Sequence, residues 1–290
     1  MKKFSLVLFP ALILCLGCKK KFPKPDHIVI VIEENHGFDQ IIGSPHTPFI
    51  NSLVKDGALF MDSHGITHPS QPNYLALFSG STQGVVDDHC LDKESPYNTT
   101  NLGAALINSG YTFTGYAQNM PEEGFTGCSH ITSGLTGGQL YARKHCPWVN
   151  WQGEGKNNFP ASVGRPMTEF PTDFNNLPTV SFVIPDQDND MHNNGGDSTM
   201  IRKADDWLRT NLSAYIDWAR SHNSLFILTY DEDNFTEQNE IPTIFTGEMV
   251  KSGKYNDSIN HYNVLRSIEK MYNLPESGPA KEHIIANVWK

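Results

Sequence analysis

The sequence predicts an α/β domain in which helices flank a mainly parallel central sheet. Short runs rich in β-branched apolar residues at 28–32, 180–184 and 225–228 indicate strands that are buried on both faces. Each run ends just before a cluster of carboxylates, and helical patterns separate the runs along the chain. This alternation favours parallel strands joined by crossover helices.

The spacing of apolar residues and the helix-ending signals place the other elements. We expect helices at 48–56, from about Pro72, at 102–108 and at 263–272, and strands at 58–61, 111–116 and 242–245. The longest predicted helix, at about 200–221, carries one apolar stripe: Ile201, Ala204, Leu208, Leu212 and Ile216. Residues 26–290 are expected to form a single domain, with an insertion at about 141–176 that covers the edge where the strands end.

The composition is typical of a globular protein and argues against nucleic-acid binding. Apolar residues make up 38% of the chain and charged residues 19%, which is enough for a full core. The formal net charge is −10, so we expect no basic face for a phosphate backbone. The oligomeric state stays open.

The first residues have the pattern of an export signal. Two lysines precede an apolar stretch at 4–16 that is short for a bilayer span. It ends at Gly17-Cys18, which resembles a bacterial lipoprotein processing site, although Cys15 stands where Leu is usual. We expect a signal peptide at 1–17 and a tether at 18–25 that a lipid on Cys18 anchors to a cell-envelope membrane. Ordinary secretion with cleavage nearby is the alternative.

Export would place the remaining cysteines outside the reducing cytosol. These are Cys90, Cys128 and Cys146, and no pair has the close spacing of a zinc knuckle. We expect one disulfide and one free thiol, with Cys90–Cys128 as the expected pair.

The carboxylates that follow the predicted strands indicate a metal site. The carboxyl ends of parallel strands meet at one edge of a sheet, where ligands bind. Acidic clusters at 33–34, 186–190 and 231–233 would repel one another there unless a positive charge lay between them. A divalent metal ion is the simplest such charge. A ligand set rich in oxygen favours Mg²⁺, Ca²⁺ or Mn²⁺, and Zn²⁺ is an alternative.

A serine stands at the start of the helix predicted from about Pro72. Backbone N–H groups in a first helical turn point at an incoming anion such as phosphate, and Pro72 suits that turn. A bound metal ion would lower the pKa of the Ser70 hydroxyl, so Ser70 could act as a nucleophile without a histidine base. The alternative is that Ser70 only caps the helix.

Several motifs occur together in one order along the chain. They are Glu34-Asn35 and the segments at 70–80 (SQPNYLALFSG), 141–145 (YARKH), 189–192 (NDMH), 231–233 (DED) and 261–269 (HYNVLRSIE). In this combination the sequence resembles the bacterial phosphoesterase family of the alkaline-phosphatase superfamily, the group of acid phosphatases and phospholipase C-type enzymes. Within that group it is most similar to the small secreted acid phosphatases. The resemblance covers about 25–274 and implies an alkaline-phosphatase-like fold.

The resemblance also implies a role for each matched residue. The implied metal ligands are Glu34, Asn35, Ser70, Asp186, Asp190, Asp231 and Glu232. The implied catalytic residues are Ser70 as nucleophile, Asn73 as a hydrogen-bond donor to the phosphoryl oxygen, and His192. The implied substrate-binding residues are Lys144, His145 and His261. Asp186 stands where close relatives often carry Asn, so the number of metal ions, one or two, stays open. Glu33 is expected in solvent or at a strand edge.

The implied function is an exported, metal-dependent acid phosphatase that cleaves small phosphomonoesters through a phosphoserine. Phospholipase C or phosphodiesterase activity is the main alternative, since the sequence does not show how large an ester the pocket accepts. A lipid-anchored protein that only binds phosphate or metal is a second alternative. A sulfatase is disfavoured, because the sulfatases of this superfamily carry Arg two residues after the proline, where this chain has Tyr74.

Overall fold

The structure is a computed structural model, which describes residues 22–133, 137–193, 196–279 and 282–290. The strands are β1 (His27–Glu33), β2 (Ala58–His64), β3 (Phe113–Ala117), β4 (Ser129–Thr132), β5 (Gln139–Ala142), β6 (Gly164–Pro166), β7 (Val180–Ile184), β8 (Ser224–Tyr230), β9 (Thr243–Gly247) and β10 (Gly253–Asn260). The α-helices are α1 (Phe38–Ile41), α2 (Pro48–Asp56), α3 (Ser70–Ser79), α4 (Leu102–Asn108), α5 (Ser198–Ala219) and α6 (His261–Tyr272). Short 3₁₀ helices occupy Arg143–His145, Pro147–Trp151, Ala161–Val163, Met167–Glu169 and Phe174–Asn176.

A mainly parallel sheet of eight strands forms the centre of the fold, in the order β10-β2-β9-β8-β1-β7-β3-β6. Strand β9 runs antiparallel to β2 and β8, and the other described pairings of this sheet are parallel. Strands β4 and β5 form a separate antiparallel pair. The predicted fold class is confirmed.

The central strands are buried on both faces, which explains their continuous apolar sequences. In β1, Ile28, Ile30 and Ile32 pack into a core with residues of α3, α4 and α6. The intervening Val29 and Val31 pack into a second core with α2 and α5. Successive side chains of a strand point to opposite faces, so both faces of β1 must be apolar. The predicted apolar stripe of α5 lies in the second core.

The position of β1 brings the acidic segments to one edge of the sheet. Strand β1 lies between β7 and β8 and is parallel to both. Glu33 pairs with Tyr230, and the N–H of Asp231 donates to the carbonyl of Glu33 at 3.0 Å. The N–H of Glu34 donates to the carbonyl of Asp190 at 2.8 Å. The three segments therefore meet as the parallel sheet predicts.

Two edge strands and the β4–β5 pair are not predicted from the sequence. Strand β10 is exposed or half-buried along most of its length, and β6 is three residues long. Neither carries the apolar run that identifies a buried strand. The helix expected from about Pro72 begins at Ser70, because proline is tolerated in the first turn of a helix.

The segment at 141–176 is more deeply integrated than an insertion over the sheet edge. Trp148 and Trp151 are fully buried in the first core, and β6 extends the sheet by pairing with β3. Residues 143–145 are the part that reaches the carboxylate-rich edge.

The N-terminal predictions fall outside the described residues. The expected signal peptide at 1–17 and the lipid-carrying Cys18 both precede residue 22, so export and anchoring stay predictions. Within the described ranges, no helix combines the length and apolar character needed to cross a membrane.

The cysteine prediction is confirmed. Cys90 and Cys128 form a disulfide that joins the segment after α3 to the start of β4. Cys146 is a free thiol, fully buried in the first core.

Candidate active site

Ser70 lies among the carboxylates at the edge of the sheet. Its Oγ is 3.0 Å from Oε2 of Glu34, 3.1 Å from Oε1 of Glu232 and 3.4 Å from Oδ1 of Asn35. Ser70 is the first residue of α3, and the N-cap position before it belongs to Pro69. The interpretation of Ser70 as a simple helix cap is therefore wrong, because its hydroxyl faces the acidic cluster.

Asp231 belongs to this cluster, and a hydrogen bond joins it to the turn that follows β1. Asn35 has a left-handed backbone (φ 49°), which Asn tolerates better than most residues. Its N–H donates to Oδ1 of Asp231 at 3.1 Å. The buried Oδ2 of Asp231 has no hydrogen-bond partner within the described residues. Burial, together with the charges of Glu34 and Glu232, raises the pKa of Asp231 well above its usual range.

The donors gathered here fit a hard divalent cation. The structure brings together these five of the expected ligands: Glu34, Asn35, Ser70, Asp231 and Glu232. Oδ1 of Asn35 faces the carboxylate oxygens of Glu232 and Glu34, which cannot donate to it. If the amide were turned over, its nitrogen would take this place and donate to Oε1 of Glu232 at 3.0 Å. Ca²⁺ and Mg²⁺ bind carboxylate and amide oxygens. A cation would satisfy both the Asn35 oxygen and the unpartnered oxygen of Asp231.

His145 lies between two carboxylates rather than at a substrate surface. Its Nε2 is 3.0 Å from Oε1 of Glu34, and its Nδ1 is 3.5 Å from Oδ2 of Asp190. Burial opposes a charge on the ring, but these carboxylates outweigh burial and raise the pKa of His145 to about 9. The side chain is 1% exposed and both nitrogens face protein carboxylates, so its substrate contact stays a prediction that this geometry does not support.

Lys144 and His192 supply the polar groups beside this cluster. Nζ of Lys144 donates to Oδ2 of Asp88 at 2.7 Å and lies 3.2 Å from Nε2 of His192. Burial opposes the charge of Lys144, but Glu34 and Asp88 outweigh it and raise the pKa of the ammonium. Burial lowers the pKa of His192 to about 4. A charged lysine therefore faces a neutral imidazole.

A cavity of about 310 Å³ opens beside Asn35 and His192, with Phe235 as a further wall. Ligand pockets begin at roughly 300 Å³, and this cavity reaches the cluster through Asn35, whereas Ser70 is not among its lining residues. Lys144, whose side chain is 17% exposed, adjoins the cavity through His192.

The amide of Asn73 is hydrogen-bonded to its own loop. Its Oδ1 accepts from the N–H groups of Ile66 and Thr67 at 2.8 and 3.1 Å. Its Nδ2 donates to the carbonyls of Thr67 and Pro69 at 2.7 and 3.1 Å. Both donors of the amide are occupied by the backbone, so Asn73 holds the loop that precedes Ser70, and its contact with a phosphoryl oxygen stays a prediction.

Two other predicted residues lie behind the cluster. His261 is 1% exposed, and its Nε2 is 2.7 Å from the carbonyl of Asp231, so it supports Asp231 instead of touching substrate. The carboxylate of Asp186 accepts from Nδ2 of Asn119 at 2.6 Å and of Asn189 at 2.9 Å, and from a backbone N–H. Asp186 therefore holds its own turn, and the structure does not join it to the Ser70 cluster.

Glu33 is fully buried, so the expectation of a solvated or edge position is wrong. Neither of its oxygens has a hydrogen-bond partner within the described residues. Glu33 and Glu34 are consecutive in an extended segment, so their side chains leave opposite faces of the sheet. Burial, with the nearby charges of Asp190 and Glu34, raises the pKa of Glu33 well above its usual range.

Comparisons with known proteins agree with this geometry. The phosphoesterase family profile matches residues 44–275. A phosphatidylinositol-3-phosphatase from Mycobacterium tuberculosis is 45% identical over 269 residues, which cover 91% of this chain and 82% of the relative. The chain belongs to the phosphoesterase family.

More distant relatives of this phosphoesterase support the same family and fold. An acid phosphatase from Aspergillus fumigatus is 28% identical over 234 residues, which cover 78% of this chain and 51% of the relative. The solved structure of an alkaline-phosphatase-superfamily protein from Vibrio parahaemolyticus has the same fold, with a TM-score of 0.56 at 14% identity over 87% of this chain and 67% of that one. The predicted family and fold are confirmed, and the chain is a phosphoric-ester hydrolase.

Sequence reasoning missed two side chains that hold the acidic cluster of this phosphoesterase. His68 pairs through Nδ1 with Oε2 of Glu232, and Tyr74 donates to Oε1 of Glu34. Tyr74 lies within the recognised segment 70–80, and His68 precedes that segment by two residues. Tyr74 follows Ser70 by four positions, which places the two on one face of α3, so helical spacing was the available signal.

Asp88 is a third missed residue, and no sequence pattern marks it. It lies between α3 and α4, outside any helix or strand. Its Oδ1 accepts the N–H of Gln71 at 2.9 Å, and its Oδ2 accepts from Lys144. The N–H of Gln71 in the first turn of α3, expected to face phosphate, is therefore already bound.

Proposed function

We propose that this phosphoesterase is a metal-dependent phosphatase that cleaves phosphomonoesters through a phosphoserine at Ser70. The observation that carries the proposal is the position of the Ser70 hydroxyl, within 3.1 Å of both Glu34 and Glu232 at the start of a helix. A divalent ion held by the five oxygen-donor residues would lower the pKa of this hydroxyl and offset the charge of the phosphate.

The side chains around Ser70 have three further roles in this proposal: they bind the phosphate, contact the leaving alcohol and support the metal ligands. Lys144 offers a half-buried positive charge to the phosphate, and its raised pKa keeps it charged. His192 stays neutral, and its buried Nδ1 has no partner within the described residues. Because Nε2 accepts from the Lys144 ammonium, Nδ1 carries the hydrogen of the neutral ring, and we assign this N–H as a hydrogen-bond donor to the oxygen of the leaving alcohol. Tyr74 and His145 fix Glu34, and His261 supports Asp231.

The charge of Lys144 supports a monoester in preference to a diester. A phosphomonoester is a dianion and can engage both the metal site and the ammonium. A diester carries one charge less and would form a weaker contact with the ammonium, and a hydrogen bond to a charged group contributes about 1.5–3 kcal/mol. The mycobacterial relative is named for a phosphorylated inositol lipid and the fungal relative for acid phosphatase activity. We therefore propose monophosphates of polyols, including lipid-borne ones, as substrates.

A substrate panel tests this proposal. Matched aryl mono- and bis-esters, sugar phosphates, phosphatidylinositol 3-phosphate vesicles and phosphatidylcholine vesicles are assayed after chelation, with Mg²⁺, Ca²⁺, Mn²⁺ or Zn²⁺ restored in turn. We expect kcat/KM for monoesters to exceed that for bis-esters at least about tenfold. A loss of about 1.4 kcal/mol of transition-state stabilisation lowers the rate by this factor. Equal rates, or release of diacylglycerol from phosphatidylcholine, would transfer the assignment to phospholipase C.

We also propose that the enzyme is exported and lipid-anchored through Cys18, which the pattern at 1–18 supports. Cys18→Ala should release the protein from the membrane fraction or block its processing. Mass spectrometry of the mature N-terminus that shows no acyl group on Cys18 would exclude the anchor.

A further inference from the structure

We infer that Asp88 is a positioning residue that aims Lys144 at the substrate phosphate, and that the Cys90–Cys128 disulfide holds this pair in place. The inference rests on the proposed phosphatase function. It assigns a role to a residue outside the family motifs and to a cross-link that takes no part in the chemistry.

The carboxylate of Asp88 ties the nucleophile helix to the cationic residue. Oδ1 accepts the N–H of Gln71 at 2.9 Å, and Gln71 directly follows Ser70 in α3. Oδ2 accepts from Nζ of Lys144 at 2.7 Å. A single side chain therefore sets the position of the ammonium relative to the serine.

The backbone around Asp88 is held to the same helix. Nε2 of Gln71 donates to the carbonyls of Asp87 and His89 at 3.0 and 2.8 Å. These contacts lie on both sides of Asp88 in sequence, so the segment 87–89 is fixed to α3 by three hydrogen bonds from one residue. Residues 87–89 form no helix or strand, so the hydrogen bonds from Gln71 are what fix their position on α3.

The disulfide joins the two segments that carry the pair. Cys90 follows Asp88 by two residues. The carbonyl of Cys128 accepts the N–H of Arg143 at 3.0 Å, and Arg143 directly precedes Lys144. The cross-link and one backbone hydrogen bond therefore connect the chain at Asp88 to the chain at Lys144.

The position of the Lys144 ammonium depends on its polar partners. A lysine has a flexible stem and a compact charge that orders only through its partners. Nζ of Lys144 lies 2.7 Å from Oδ2 of Asp88 and 3.2 Å from Nε2 of His192, so Asp88 is its charged partner. Asp88, whose side chain is 31% exposed, holds the ammonium on the outer side. Without Asp88 the ammonium would keep, among the described residues, only its contact with His192, and its position relative to Ser70 would no longer be fixed.

Steady-state kinetics with inorganic phosphate as a competitive inhibitor test the role of Asp88. Asp88→Asn keeps an acceptor for Gln71 but removes the charge that holds Lys144. We expect the KM of a phosphomonoester and the Ki of phosphate to rise about tenfold, because the phosphate loses one charge-assisted contact. The kcat should stay within about threefold of wild type. Asp88→Glu should recover part of the affinity. Asp87→Asn is the matched control, because that carboxylate contacts only the exposed His89.

The disulfide is tested by the double change Cys90→Ser and Cys128→Ser, and by mild reduction of folded wild-type enzyme at saturating metal. Both should reproduce the rise in KM and Ki, and Asp88→Asn on top should add little, because the two changes remove one constraint. An unchanged Ki in Asp88→Asn, a loss of kcat alone, or fully additive effects would overturn the inference. A wild-type enzyme without phosphatase activity would instead refute the proposed function.

Discussion

The phenol of Tyr74 donates a 2.5 Å hydrogen bond to Oε1 of Glu34, whose other oxygen lies 3.0 Å from the hydroxyl of Ser70. Ser70 and Tyr74 are separated by one turn of α3, so one helix face holds both ends of the carboxylate. The Tyr74 ring also stacks on His145, with ring centroids 5.0 Å apart and planes inclined by 13°. Burial and the charge of Glu34 raise the pKa of Tyr74, which keeps the phenol a donor.

Tyr74→Phe should weaken metal binding while the fold persists. The substitution keeps the ring stack on His145 and removes only the hydrogen bond that orients Glu34. Loss of a group that orients a metal ligand lowers metal affinity or activity about 10–100-fold. Titration of turnover against each metal measures the change. Tyr255→Phe, which loses a surface hydrogen bond to Lys251, is the control. An unaltered metal titration would remove Tyr74 from the site.

Ser70→Ala should lower kcat at least about a thousandfold, because it removes the covalent route. The melting temperature should stay close to wild type, since the hydroxyl takes no part in capping α3. Turnover and mass-spectrometric trapping of phosphoserine check the prediction. Ser79→Ala, at the other end of the same helix, should retain turnover. A Ser70→Ala enzyme with more than about a tenth of the wild-type rate would exclude the nucleophile, and would revive the non-catalytic alternative.

Glu34→Gln and Asp231→Asn should each abolish turnover and weaken metal binding, because each removes a negative charge from the donor set. Equilibrium dialysis of the metal and assays after chelation measure the two effects. Glu33→Gln is the matched control: Glu33 is adjacent in sequence but points to the opposite face of the sheet and has no partner within the described residues. Turnover that survives exhaustive chelation would refute metal dependence.

Asp205→Ala should destabilise the fold without changing the chemistry. Asp205 is fully buried on α5 and accepts the N–H groups of Phe49 and Ile50 at 3.0 and 2.8 Å in the first turn of α2. Alanine would leave two buried donors unpaired, at roughly 1–3 kcal/mol for each group in the free energy of unfolding. Urea unfolding measures the loss. Asp206→Ala, which removes only exposed ion pairs, should change stability by less than about 0.5 kcal/mol.

Patterns local in the sequence were sufficient for the fold class, for the central strands and for the acidic segments that meet at the sheet edge. The apolar runs of β1, β7 and β8 predict a parallel sheet, because a strand buried on both faces must be apolar at every position. The order of those strands then brings Glu34, Asp190 and Asp231 together. Ser70 is recognisable because the start of a helix is marked by nearby residues.

Only the tertiary structure decided which of the recognised polar side chains have protein partners. His145 and His261 occur in the recognised motifs, yet packing buries them against Glu34 and the backbone of Asp231. Both donors of the Asn73 amide are used by its own loop. Asp88 contacts Lys144 across 56 residues, and no periodicity connects them. Local patterns determine where a strand or helix forms, whereas the partner of a polar side chain depends on elements that only the packed fold brings into contact.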